Sequence, residues 1–315
     1  MTLFSLTTSP WPELDYVQWR DTQATLHRWT QIVGKIRLRQ SPWVNHSWHV
    51  PLYLTARGLT TMPMSYESRI FEIQFDFIDH QLRIETTEGR TETVELAPRA
   101  VADFYHELFA RLDTLGLPIN IRTMPNEIPD AMPLDQDRIH ATYDREQVAR
   151  FWGALAQADR VLKTFRARFI GKCSPVHFFW GGFDLAVTRF SGRRAPPHPG
   201  GIPNLPDWIT REAYSHEVSS CGFWPGGEVM PTPVFYAYAY PEPQGFKSAS
   251  IRPAGARYDS TFGEYVLPYD EVRQATSSDE VLLEFLQSSY EAAADLGRWD
   301  RPSLEREALP PEGSG

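Results

Sequence analysis

Phe71-Glu72-Ile73-Gln74-Phe75-Asp76-Phe77 alternates apolar and polar residues without a break. Successive side chains of a β-strand point to opposite faces, so this run predicts a strand buried on one side and wet on the other. Asp79-His80 and Glu88-Gly89 supply turn chemistry between further short alternating runs, which predicts a meander of antiparallel hairpins within residues 34–96. Helical spacing brackets that meander. Trp19, Leu26, Trp29 and Val33 share one apolar face within residues 15–33. Pro98 opens a second helix carrying Val101, Phe104, Tyr105, Leu108 and Leu112, with Gly116 as its stop signal. An antiparallel sheet must cover its apolar face, and the flanking helices supply the cover, so the expected class is α+β.

The same order returns further along the chain. Trp19, Ser41, Pro42, Leu52 and Thr55 recur at one constant offset as Trp152, Ser174, Pro175, Leu185 and Thr188. Phe104, Phe109 and Leu115-Gly116 recur at a second offset as Phe285, Tyr290 and Leu296-Gly297. Two pseudo-repeated halves are expected, each an antiparallel β-meander flanked by helices, over residues 1–122 and 142–300. A proline- and acid-rich linker at 123–141 joins them, and a loose tail at 301–315 follows. Asp144 with Gln147 caps the helix that opens the second half, and Ser277 with Glu280 caps a last one. Strands are expected near 175–190, 214–221, 233–240 and 262–267. In helix-grip folds such a sheet curls around a helix and leaves a cavity between them, an analogy of shape only.

Composition narrows the partners. The 315 residues carry a formal charge of −9 and no basic run longer than Arg193-Arg194, so neither nucleic acid nor an anionic membrane surface is an expected partner. No apolar run approaches the roughly 20 residues of a membrane span. The first ten residues lack a basic cluster and an apolar core, and the cysteines are only Cys173 and Cys221, so cytoplasm is the expected compartment.

Candidate chemistry concentrates in residues 173–242. A hairpin at Gly181-Gly182 sets Phe179 against Asp184 and puts His177, Phe179, Asp184, Ala186 and Thr188 on one face. His177 and Asp184 are then diagonal neighbours, an arrangement in which a carboxylate orients an imidazole for general-base catalysis, although a hydrogen-bonded core histidine fits the same pattern. Tyr236, Tyr238 and Tyr240 alternate with Phe235, Ala237 and Ala239, giving one strand face of hydroxyl-tipped rings and one that admits close helix packing. With Phe179, Trp180 and His216 these tyrosines are the expected ligand wall, and His49, on a strand with Tyr53 and Thr55, is a further candidate. His46 and His49 point to opposite faces of such a strand, so no shared metal is expected. Cys221 is expected to be inert packing. The loop at 192–206, with Pro196, Pro197, Pro199, Pro203 and Pro206, has the stiffness of a lid.

Four stretches carry a family likeness: Trp11-Pro12-Glu13-Leu14, His49-Val50-Pro51-Leu52-Tyr53, Ser174-Pro175-Val176-His177-Phe178-Phe179-Trp180 and Tyr238-Ala239-Tyr240-Pro241-Glu242-Pro243. Through them nearly the whole chain resembles the mostly bacterial domain of unknown function 5996, a likeness that implies no activity, cofactor or catalytic residue. The expected function is small-molecule binding in a sheet–helix pocket of the second half, with hydrolysis by His177 as base and Asp184 as its orienting group as the catalytic version. The competing expectation is a non-catalytic interaction module that presents the tyrosine stripe and the proline loop to a partner.

Overall fold

The structure, a computed structural model, describes residues 10–129 and 131–306. α1 (Tyr16–Gln40) begins where Asp15 accepts a hydrogen bond from the Val17 amide at 2.9 Å. The first sheet follows as β1 (Tyr53–Leu54), β2 (Gly58–Thr60), β3 (Met64–Tyr66), β4 (Arg69–Asp76), β5 (Gln81–Thr86) and β6 (Thr91–Glu95), closed by α2 (Val101–Thr114). The second half runs α3 (Arg145–Ala167), β7 (His177–Phe179), β8 (Asp184–Arg194), α4 (Asp207–Ala213), β9 (His216–Trp224) and β10 (Val234–Tyr240). It continues through β11 (Arg257–Asp259), β12 (Glu264–Pro268), α5 (Tyr269–Arg273), α6 (Ser278–Leu296) and α7 (Arg301–Leu304).

Both sheets are antiparallel, and the class is α+β. The first has the order β1-β2-β4-β5-β6 with β3 beside β4, and the second β11-β12-β10-β9-β8-β7. They meet edge to edge where Leu52 and Phe178 exchange backbone hydrogen bonds of 2.9 and 3.0 Å. The alternating run emerges as read, with Phe71, Ile73, Phe75 and Phe77 buried and Glu72 and Gln74 half-buried. Asp76 is the exception, buried because it accepts the Ile78 and Asp79 amides at 3.0 Å and pairs with Arg57 at 2.5 Å.

One apolar cluster contains residues of both halves, among them Trp19, Phe75, Phe151 and Phe285. Trp19 lies 4.8 Å from the Phe151 ring, while Trp152 is only half-buried. In the second sheet, Phe178, Leu185, Val187, Phe223, Phe235 and Ala237 share that cluster with residues of α3 and α6. Met230, Val234, Tyr236 and Val266 form a separate small cluster on the opposite face. The tyrosine stripe therefore faces away from the long helices. Among the described residues no helix is long and apolar enough to cross a membrane.

Four expectations need correction. Residues 34–40 continue α1 instead of turning into the sheet, because Gly34 is a packing notch: a Cβ there would stand 2.3 Å from the Trp180 ring. Residues 45–47 form a 3₁₀ turn, not a strand, since His46 and Ser47 adopt φ near +60°. The described residues of 123–141 contain no helix or strand, and within them buried Asp137 holds Arg28 at 3.0 Å and His140 at 2.7 Å. The Pro-rich loop is bounded by β8 and by the unforeseen α4, and α7 is docked through the Ile170 amide on the Leu304 carbonyl at 2.8 Å. The rest of the expected tail, 307–315, and the leader segment at 1–9 lie outside the described residues. Because the Gly34 notch is filled by a rigid indole, Gly34→Ala should destabilise the protein by about 1–3 kcal/mol in urea unfolding; an unchanged midpoint would show that Trp180 yields.

Candidate functional site

The face of the second sheet away from α3 and α6 is built by strand register. Phe179 pairs with Asp184 across a turn closed by the Phe183 amide on the Phe179 carbonyl at 2.8 Å, so His177, Phe179, Asp184, Ala186 and Thr188 share this face. β9 adds Ser220 and Gly222 opposite Thr188 and Ala186. β10 adds Tyr238 and Tyr236 opposite those two, and the Ala237–Tyr265 pair sets Glu264 beside Tyr238. Tyr236 lies across β9, donating its hydroxyl to Asp184 and, at 3.3 Å, to the Leu185 carbonyl. Gly222 makes that crossing feasible: a Cβ there would come within 2.5 Å of the Tyr236 hydroxyl and 1.9 Å of the Leu185 oxygen. Tyr238 and Tyr214 share a hydroxyl hydrogen bond of 2.7 Å, and Thr188 and Ser220 one of 2.9 Å.

Two segments with no regular structure form the roof. The Glu127 amide bonds the Pro203 carbonyl at 2.8 Å, Asn126 donates to the Asn204 carbonyl at 2.8 Å, and Asn204 returns a bond to the Ile128 carbonyl at 3.1 Å. On the other side Tyr240 donates to the Pro196 carbonyl at 2.9 Å, and His198 stacks on Tyr214 at 4.7 Å. The proline-rich loop and the segment at 126–128 are thus fastened to each other beside the tyrosines. Glu127 holds φ of +64°, a strained setting for a residue with a Cβ, and its carboxylate lies against Gly181, where a Cβ would approach it to 2.0 Å.

Three carboxyls from separate segments, Glu127, Asp184 and Glu264, gather here. Among the described residues none forms an ion pair, which sets them apart from the many arginine-paired acids of the surface. Burial pushes Glu127 up to about 7, with the Asp184 charge adding to the rise, and Asp184 up to about 6 against the opposing Tyr236 hydrogen bond. Burial and the Asp184 charge push Glu264 up to about 8. Glu127 nonetheless remains exposed to solvent, the combination expected for a carboxyl on the wall of a cleft: crowded by protein, open on one side. Among the described residues no three His, Cys, Asp or Glu side chains converge closely enough to hold a metal ion.

Of the residues singled out from sequence, Asp184, Tyr236 and Tyr238 come together. His177 shares their face but is fully buried, edge-on to Trp48, Tyr53 and Phe179, with no hydrogen-bond partner for either ring nitrogen; burial lowers it to about 3. Asp184 is held by Tyr236 instead. Trp180 packs on Gly34 and donates to the Val50 carbonyl at 2.8 Å. His216 lies at the far end of β9, 5.8 Å from the His46 ring, whose Nε2 receives Lys172 at 2.7 Å. His49 is buried under Trp43. The Cys221 thiol is pushed up by burial and Cys173 to about 11, which leaves both inert near neutral pH.

Sequence reasoning missed Glu127, Tyr214 and Glu264, and of the helix that positions the first of them it read only the apolar face. Gln23, His27, Gln31 and Lys35 repeat every four residues along α1. Gln23 donates to the Gly226 carbonyl at 2.8 Å, and the His27 ring meets the Trp180 and Gly181 carbonyls at 3.0 and 2.9 Å. Gln31 exchanges two 2.8 Å bonds with the Asn126 backbone, and Lys35 bonds the Asn126 side chain. That polar period of four was the available signal; Glu127, in a segment without periodicity, offered none.

No curated protein and no solved structure matches the chain. The model of a family of unknown function, DUF5996, matches residues 11–306, which takes in both sheets, the roof and every residue of the carboxyl–tyrosine cleft. The chain belongs to the DUF5996 family.

Proposed function

We propose that the protein binds a small organic cation, an amine-bearing molecule, in the cleft formed by Asp184, Glu127, Glu264 and the tyrosines under the proline loop. The observation that carries this reading is the convergence of three carboxyls with no basic partner. Uncompensated like charges raise one another's pKa, and a ligand cation supplies the missing counter-charge. The Tyr236 and Tyr238 rings, stacked at 6.2 Å, add π-faces of the kind that attract ammonium groups. Phe179 borders the cleft beside Asp184. Trp180, His216 and His49 take supporting places outside it.

A hydrolytic version is favoured by one further feature, burial that raises both Asp184 and Glu127, the latter further under the Asp184 charge, which gives two carboxyls able to hold or release a proton near neutrality. Those two, and not His177, are the proton carriers in this version, because an imidazole lowered to about 3 is a weak base. The interaction-module reading has less support at the tyrosines, because the Tyr238 hydroxyl is bonded to Tyr214 and the Tyr240 hydroxyl to the Pro196 carbonyl, although the prolines of the loop are exposed.

A carboxyl whose folded pKa lies above its unfolded value, near 4, keeps a proton that the unfolded chain has released, so stability falls as pH rises from about 4 through the folded value. Asp184→Asn should therefore raise the melting temperature at pH 8 by roughly 2–4 °C relative to the parent protein, with the gain vanishing near pH 4. Loss of stability at pH 8 would mark Asp184 as purely structural. Screening the same proteins by thermal shift with putrescine, choline and agmatine should give a saturable stabilisation of the parent at pH 8 that Asp184→Asn and Glu127→Gln abolish. The proposal fails if no amine shifts the parent, or if both variants respond like it. Gly222→Ala, which blocks the Tyr236 crossing, should destabilise more than Tyr236→Phe, for which about 1 kcal/mol is expected in urea unfolding.

A further inference from the structure

We infer that a second site, for an anion, lies at the junction of the two sheets around Arg37, Tyr53 and His177. Arg37, near the end of α1, is 8% exposed, yet among the described residues its guanidinium forms no hydrogen bond and no ion pair. It lies 5.4 Å over the Tyr53 ring, and the same ring stands 5.6 Å from His177, 1% exposed, with both nitrogens unbonded. Three buried nitrogens without a protein acceptor or donor thus flank one tyrosine.

Two other arginines drawn into the protein, half-buried Arg28 and buried Arg189, have partners, although the Arg189 Nε is itself unbonded. Arg28 pairs with Asp137 at 3.0 Å, and Arg189 donates to the Phe165 carbonyl while sandwiched between the Phe165 and Tyr290 rings. Arg37 has only the Tyr53 face, and Glu72, the acid whose charge bears on it, accepts from Thr60 instead. A buried cation left in this state is costly unless an anion completes it.

Space for that anion adjoins the same tyrosine. A cavity of roughly 220 Å³ is lined by Tyr53 together with Lys163 and Arg166 of α3, and Asp159 on its wall is already neutralised by Lys163 at 2.6 Å. Arg166 anchors itself by donating Nε to the Ser174 carbonyl at 2.6 Å. Tyr53 is common to both: it lines this cavity, and its ring also stands 5.4 Å from the Arg37 guanidinium and 5.6 Å from the neutral His177 ring, so a carboxylate or phosphate group entering beside it meets Arg166 directly and the charge of Arg37 across the tyrosine. The volume suits a small metabolite bearing such a group. This site uses none of the carboxyls of the cleft, and its test is independent of theirs.

Thermal unfolding of the full chain in inorganic phosphate and in succinate, each against chloride at equal ionic strength, reads the proposal. A saturable rise in melting temperature is expected with at least one of the two, and the larger rise tells phosphate from carboxylate. Arg37→Met should abolish it while leaving the anion-free protein at least as stable, because the substitution removes an unpaired buried charge. Lys163→Ala, at the exposed mouth of the cavity, should fold normally and raise the half-saturating concentration severalfold. The proposal is overturned if neither anion gives a saturable rise, if Arg37→Met responds like the parent, or if Arg37→Met unfolds, which would make Arg37 a packing residue. An unchanged half-saturation in Lys163→Ala would likewise exclude this cavity as the route.

Discussion

The polar ladder of α1 is the constraint on which the cleft depends. Gln23, Gln31 and Lys35 are buried and His27 half-buried, on a helix whose other faces are packed in the apolar core, so their polar atoms must find partners inside the protein. They find them in irregular backbone of the second half: the loop before β10, the turn between β7 and β8, and the segment at Asn126. Each bond fixes a stretch that has no ladder of its own. With Asn126 fixed from both its amide and its carbonyl, Glu127 is held at a positive φ and its carboxylate is aimed at Gly181.

From that anchoring follows the electrostatic character of the cleft. Crowding three acids together without a counter-charge, Glu127 exposed and Asp184 and Glu264 half-buried, opposes folding, and the rest of the molecule, a core shared by both halves, supplies the stability that offsets it. The tyrosines moderate the cost without removing it, since a hydroxyl can donate to a carboxylate but brings no positive charge. Arginines pair with many acids of the surface but not with these three, and the Arg37 guanidinium is left equally unpaired, the pattern expected where binding and not stability sets the residue choice.

How much was legible in the sequence depended on whether a period carried the information. The alternation around Phe75 and the spacing around Trp19 and Phe151 gave elements, class and core, and the Phe179–Asp184 register gave the correct face for five residues of the floor. Periodicity fails where a single contact overrides it. The first helix is expected within residues 15–33, yet it runs on through Gly34, which is a seat for Trp180, and the strand pattern through His46 and His49 is broken by two positive φ values that no neighbour announces. The His177–Asp184 pairing looked sound because diagonal neighbours on one face are close. What sequence could not show is that Tyr236 would reach Asp184 from two strands away over a glycine.

That glycine also explains why His177 and Asp184, neighbours on one face, do not pair. His177 lies one position along the face from Asp184, and in a deformable site the carboxylate would turn toward it. Here the ladder between β7 and β8 fixes the backbone, the Phe179 ring stands beside His177, and Tyr236 claims the Asp184 oxygen from the opposite side. Arg37 is likewise held by its helix against Tyr53. The acidic cluster on the second sheet and the unpaired Arg37 of α1 persist apart because the rigid register and the aromatic rings keep Asp184 turned toward Tyr236 and Arg37 against Tyr53, which leaves each to be completed by a group from outside the fold.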